Sequence, residues 1–217
     1  MTTLVTARIY DAYLTALLAG DRAGCTAIVE ELNNADIPIK DLYLNLFQRS
    51  LYRIGELWEH HQISVSVEHL ATAITERLLT LVEPKIFSGQ HRDHSVIIAC
   101  VADEYHQLGA RMVADLFELH GWRGYFIGAN TPVQSLLSMI EQKNPALVAL
   151  SLSIYSNLPS LIKALDTVRA AYPDLPILVG GQAFRWGGTD AFKRYRNVTY
   201  IATIDELEQE MEKYHDR

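Results

Sequence analysis

The stretch Val96-Ile97-Ile98-Ala99-Cys100-Val101-Ala102-Asp103-Glu104-Tyr105-His106-Gln107-Leu108-Gly109 decides the fold. Its first seven residues are apolar without a break. A strand with one wet face alternates polar and apolar residues. One that is apolar throughout is covered on both faces, as in a parallel sheet flanked by helices. The run ends in Asp103-Glu104-Tyr105-His106-Gln107, a loop, and a helical pattern follows from about Ala110 to His120, ended by Gly121.

Reading toward the C-terminus, the alternation of strand and helix repeats. Strands are expected at Gly124–Ile127, Ala146–Ser153, Ile177–Val179 and Val198–Ile201. Helices are expected at Pro132–Lys143, with Pro in the first turn, at Leu158–Tyr172, as a short element near Thr189–Tyr195, and at Glu206–His215. Five strand–helix units predict an α/β fold, a doubly wound, Rossmann-like and flavodoxin-like five-stranded parallel sheet.

The other direction reads differently. Thr2–Ala19 and Arg22–Asn33 carry apolar residues at three and four spacing, and Pro38 follows. Lys40–His60 lines up Tyr43, Leu46, Phe47, Leu51, Ile54, Leu57 and Trp58 on one stripe. Ser64 or Ser66 caps a fourth helix, whose stripe of Val67, Leu70, Ala71, Ile74, Leu78, Leu81 and Val82 runs to Pro84. Four amphipathic helices joined by short breaks predict a four-helix bundle. The polar segment Ser88–Asp93 is expected to link two domains, residues 1–88 and 94–217.

Composition narrows the function classes. Lys and Arg number 19 against 26 Asp and Glu, a net charge of -7 with no basic cluster, which argues against direct nucleic-acid binding. The two cysteines, Cys25 and Cys100, form no CxxC pair, so neither a zinc site nor a disulfide framework is expected. No apolar stretch has the length of a membrane span and Met1–Leu18 lacks a signal-peptide pattern, so a cytoplasmic protein without membrane contact is expected.

In an open parallel sheet, ligands bind beyond the carboxyl ends of the strands. Three loops lie there: Asp103–Gly109, Ser151-Leu152-Ser153 and Gly180-Gly181. His106 can ligate a metal through one ring nitrogen while Glu104, two residues earlier, holds the other. Gly109, Gly180 and Gly181 let a bulky group approach the backbone, and Ser151 and Ser153 can hydrogen-bond it. Taken one at a time, these features are more often a polar loop histidine and tight turns. A receiver domain shares the strand–helix pattern, but its acidic pair, phosphoacceptor Asp and late Lys are not evident.

Together the loops resemble the cobalamin-binding domain. That family carries Asp or Glu-x-His-x-x-Gly, then Ser-x-Leu, then Gly-Gly. Here Glu104-x-His106-x-x-Gly109 is followed at a matching distance by Ser151-x-Ser153 and then by Gly180-Gly181, with Ser153 where Leu is usual. The resemblance implies that His106 is the lower cobalt ligand and Glu104 its orienting partner. It implies that Tyr105 and Gly109 lie at the cofactor, and that Ser151, Ser153, Gly180 and Gly181 line the slot for the nucleotide tail.

The helical half is similar to the cap of the light-sensing CarH-type adenosylcobalamin photoreceptors. The similarity rests on Ile54-Gly55-Glu56-Leu57-Trp58-Glu59 and on Ile63-Ser64-Val65-x-x-Glu68-His69-x-Ala71-Thr72. It implies that Trp58, Val65, Glu68 and His69 surround the adenosyl group. Those photoreceptors are repressors that carry a DNA-binding domain before the bundle and a His after the Trp; here Met1 falls just before the bundle and Glu59 follows the Trp, then His60 and His61. The resemblance thus implies a stand-alone cobalamin photosensor in transcriptional regulation. It would act through homo-oligomerisation or a regulatory protein partner and without direct DNA contact. A corrinoid carrier subunit of a methyltransferase system is the alternative, and a ligand-sensing antirepressor a third reading; no catalytic residue is expected.

Overall fold

The computed structural model describes residues 4–87, 89, 91, 93–185 and 187–214. The chain divides into two compact units, Met1–Ser88 and Gly89–Arg217.

The first unit is helical. α1 (Ala7–Leu18) starts at Thr6, whose hydroxyl accepts from the Ile9 N–H, and α2 (Arg22–Asn34) starts at Asp21, which accepts from the Gly24 N–H at 2.9 Å. α3 (Ile39–Leu42) runs without a break through a π-helical segment (Tyr43–Gln48) into α4 (Arg49–Glu59). α5 (Val65–Leu79) is capped by Ser64, and α6 (Glu83–Ile86) closes the unit. α1 packs on α2, α4 and α5. Tyr13, Leu17, Cys25, Val29, Leu46, Phe47, Ile54, Ala71 and Leu78 fill the interior, as the apolar stripes require. The π segment is the local surprise: its wider turns keep Tyr43, Leu46 and Phe47 all buried.

The second unit is a five-stranded sheet of order β2-β1-β3-β4-β5 with every neighbouring pair parallel. The strands are β1 (Ser95–Val101), β2 (Arg123–Thr131), β3 (Leu147–Ser151), β4 (Ile177–Gly180) and β5 (Val198–Tyr200). This is the flavodoxin-like order. β1 lies inside the sheet, which is why its residues are apolar on both faces. Ile97, Ala99 and Val101 pack with Leu136 and Ile140 of α8 (Val133–Lys143) and Leu161, Leu165 and Val168 of α9 (Leu158–Ala171). Val96, Ile98 and Cys100 point the other way, and α7 (Leu108–Leu119) packs against β1 and β2. β5 is followed by α10 (Ile204–Glu212). The helix expected near Thr189–Tyr195 is only a 3-10 turn, Thr189–Phe192, and the last helix stops at Glu212; His215 lies outside the described residues. Among the described residues no helix is long and apolar enough to cross a membrane.

Register brings the carboxyl ends of the strands to one edge: Cys100 pairs with Ser151 and Ser151 with Gly180. At that edge Gly181 has φ +113°, and a Cβ there would lie 2.1 Å from the Leu152 carbonyl oxygen. Gly109 differs, because a Cβ there would meet no atom within 4 Å. Gly181→Ala is therefore expected to lower unfolding stability by at least ~2 kcal/mol, through both φ strain and the clash. Gly109→Ala, in the first turn of α7, should be neutral or stabilising by up to about 1 kcal/mol. Urea midpoints of the two variants check the contrast, and equal midpoints would refute it.

Candidate functional site

The loop between β1 and α7 carries the site. Glu104 is fully buried at its centre, an unusual place for a carboxylate. Four donors explain it. Oε1 accepts from the His106 backbone N–H at 2.9 Å and from His106 Nδ1 at 2.7 Å; Oε2 accepts from the backbone N–H groups of Ser153 at 2.8 Å and Ile154 at 2.9 Å. Burial pushes the Glu104 carboxyl upward, yet the His106 side-chain bond and the three backbone bonds prevail and hold it down at about 2.

His106 is half exposed, with its side chain at 53 %. With the Nδ1 proton directed at Glu104, Nε2 is the nitrogen suited to a metal. Among the described residues no three His, Cys, Asp or Glu side chains group closely enough to hold an ion. What the arrangement offers is one oriented imidazole. That fits a group whose metal arrives already held by a macrocycle and takes one axial nitrogen. The open space at Gly109, three residues further on, is compatible with such bulk.

The sequence-derived residues are distributed as follows. Tyr105 is exposed beside His106. Ser153 reaches Glu104 through its backbone N–H; Ser151 lies at the end of β3, where its hydroxyl bonds Cys100. The Cys100 thiol is pushed up to about 12 by burial and by the Glu104 charge, against that bond, so it is an inert thiol behind the loop. Gly180 closes β4, and a Cβ there would meet the Ile201 carbonyl oxygen at 3.4 Å. The absence of a side chain at Gly181 is already demanded by Leu152. In the helical unit, Trp58 at the end of α4 and Val65 at the start of α5 are both more than 40 % exposed. Glu68 accepts from the Thr72 hydroxyl at 3.0 Å and has His69 Nε2 at 3.5 Å, and His69 is exposed.

Sequence reasoning missed several loop partners. Asp103 has φ +68° and is held by the Asn130 side chain, the Asn157 side chain and the Ser160 hydroxyl. Gln107 accepts from the Ala129 N–H. The signal available was Asn130-Thr131-Pro132, a turn-forming run at the carboxyl end of β2, on the same sheet edge as the other loops.

Residues 94–208 match the B12 binding domain family, and residues 9–83 match a second family, also described as a B12 binding domain. The transcriptional repressor CarH of Myxococcus xanthus is 29% identical over 177 residues, covering 81% of this chain and 58% of its own. The repressor CarA of the same organism is 29% identical over 126 residues, covering 57% of this chain and 43% of its own. This chain thus spans less than two thirds of the length of either relative. Among solved structures, the monomethylamine corrinoid protein of Methanosarcina barkeri superposes with a TM-score of 0.81 at 13% identity, over 95% of this chain and 98% of that one.

The geometry makes Glu104 testable without any ligand. Both oxygens accept two bonds, so Glu104→Gln turns one acceptor into a donor facing two donors, and a loss of about 2–4 kcal/mol is expected. The carboxyl is depressed from its ordinary 4.5 to about 2, so its contribution is fully present above pH 4.5 and disappears as pH falls toward 2. The stability difference between wild type and Glu104→Gln, followed by denaturation from pH 7 to 3, should therefore narrow below pH 4.5; a constant gap would refute the charge-based account. With the Glu104–His106 pair at a parallel-sheet edge, and with more than half its length matched, this chain belongs to the B12 binding domain family and is a cobalamin-binding protein similar in sequence to CarH.

Proposed function

We propose that the chain is an adenosylcobalamin-binding photosensor with a regulatory output. The observation that carries this reading is the 29% identity with the repressor CarH over 81% of the chain, reaching into the helical unit. Bound adenosylcobalamin would supply a cobalt–carbon bond that light can break. His106 Nε2 would be the lower ligand, and Glu104 would keep that nitrogen as the acceptor by holding the Nδ1 proton. Tyr105 and Gly109 would lie beside the corrin, and Ser151, Ser153, Gly180 and Gly181 along its nucleotide tail. Trp58, Val65, Glu68 and His69 would enclose the adenosyl group. Two large apolar side chains left exposed at the α4–α5 turn, beside a Glu–His pair, support that assignment.

When the adenosyl group leaves, Trp58 and Val65 lose the surface they cover. The cost of that exposure can drive a repacking of the helical unit, read out as altered homo-oligomerisation or altered contact with a regulatory protein partner. Glu59, His60 and His61 follow Trp58, and the His60 ring is turned back onto the Glu56 carbonyl at 2.7 Å. The second reading, a corrinoid carrier for a methyltransferase, is favoured by the superposition with the monomethylamine corrinoid protein, which extends over nearly the whole of both chains.

Two outcomes are expected. Protein loaded with adenosylcobalamin in the dark should show an absorption spectrum that changes irreversibly under green light, with a shifted elution volume on size exclusion. A light response no different from free cofactor, together with methylation of the bound corrinoid by a methyltransferase, would overturn the photosensor and establish the carrier. Trp58→Ala should bind cobalamin through an unchanged His106 site but retain the adenosyl form about tenfold less well, as expected when a large aromatic contact is removed. Equal retention would remove Trp58 from the adenosyl site.

A further inference from the structure

Among the described residues, most of the bonds that hold the His106 loop from the β2 side come from one residue, Asn130. Asn130 sits at the end of β2 with φ +47°, a conformation that Asn tolerates better than most residues. Its backbone N–H donates to the Glu104 carbonyl at 2.7 Å. Its side-chain Oδ1 accepts from the Asp103 N–H at 2.8 Å, and its Nδ2 donates to the Tyr105 hydroxyl at 3.2 Å. Three consecutive residues, 103 to 105, are therefore tied to one asparagine, and the next residue is His106. The bonds are not interchangeable with water at no cost, because Asp103 has φ +68° and its N–H is aimed at the amide oxygen. Beside them, Gln107 accepts from the Ala129 N–H at 3.2 Å, so residues on both sides of His106 are fastened to β2.

We propose that Asn130 is a positioning residue for His106. Glu104 sets the tautomer and the ring plane. Asn130 sets the path of the backbone from Asp103 to Tyr105, and with it the height and direction at which the imidazole leaves the sheet edge. An axial nitrogen must approach a metal along one line, and a displacement of a fraction of an ångström weakens the bond. The side-chain bonds of Asn130 therefore select the His106-coordinated form of the cofactor over a form ligated by the cofactor's own base. This rests on the reading of His106 as the cobalt ligand.

The test separates the two claims. Protein labelled with 15N-histidine is loaded with cob(II)alamin, and its electron paramagnetic resonance spectrum is recorded. A 15N axial ligand splits the lines into doublets, whereas the cofactor's own 14N base gives triplets. Wild type should show doublets, and His106→Ala should not. Asn130→Gly keeps the left-handed backbone and its N–H but deletes both side-chain bonds. It should melt close to wild type, lose most of the doublet signal and bind cobalamin about tenfold more weakly. Asn130→Asp keeps the acceptor for Asp103 and should recover part of the doublet. Full doublets and wild-type affinity in folded Asn130→Gly would overturn the role of Asn130 while leaving His106 as ligand. Absence of doublets in wild type would overturn the His106 reading and this inference with it. Should Asn130→Gly not fold, Tyr105→Phe decides, since it deletes the Nδ2–hydroxyl bond without a replacement, whereas in Asn130→Asp the tyrosine hydroxyl can donate to the new carboxylate; full doublets and wild-type affinity in Tyr105→Phe would refute the proposal.

Discussion

A carboxylate with no solvent contact must find its stabilisation in hydrogen bonds, and Glu104 finds four. Two come from the residue it orients and two from the loop after β3. The same group thus acts as a local clamp on His106 and as a cross-strand tie between β1 and β3. Those strands flank the point at which the winding of the sheet reverses direction, in the order β2-β1-β3-β4-β5. Loops on either side of such a point diverge and leave a crevice, the usual ligand position in this architecture. Here the crevice is spanned by charge-assisted bonds, so the imidazole is oriented before any ligand arrives.

The arrangement depends on β1 being an interior strand. Its neighbours β2 and β3 each end in a loop that can reach Asp103–Gln107, and both do so: Asn130 and Ala129 from one side, Ser153, Ile154, Asn157 and Ser160 from the other. β4 enters one step further out. The Leu152 N–H donates to the Gly180 carbonyl and the Ala183 N–H to the Leu152 carbonyl, which fixes the loop that supplies the Ser153 and Ile154 donors. Gly181 belongs to this structural chain. Its missing side chain makes room for the Leu152 backbone, whatever else it also makes room for.

This hierarchy explains what could be read from the amino-acid sequence. The apolar run Val96–Ala102 announced an interior strand because burial on both faces leaves no polar position. The helix caps at Asp21 and Ser64 are local chemistry, written in adjacent residues. Glu104 and His106 are two residues apart, so their pairing was visible as well. The partners of Glu104 in the β3 loop, forty-nine and fifty residues away, become neighbours only through the strand order, and no local pattern records that. β2 extends to Thr131, beyond the expected Ile127, because Gly128, Ala129 and Asn130 lack the apolar signature of a strand while pairing through a register shift. The π segment Tyr43–Gln48 was illegible for another reason: apolar spacings of three and four are the same on both sides of an inserted residue.

The two units differ in how firmly their candidate residues are held. Glu104 uses its whole accepting capacity, and His106 gives up one nitrogen to it. By contrast Trp58, Val65 and His69 are exposed at the end of α4 and the start of α5, and His69 Nε2 lies 3.5 Å from Glu68. A site that must coordinate a metal in every state of the cofactor gains from rigidity, since misplacement costs binding each time. A surface that must register the arrival or loss of an upper group gains from the opposite, since only weakly held side chains can report it by moving. On the proposed reading, the tightly bonded sheet edge would keep the cofactor and the loosely held helical turn would respond to what the cofactor carries.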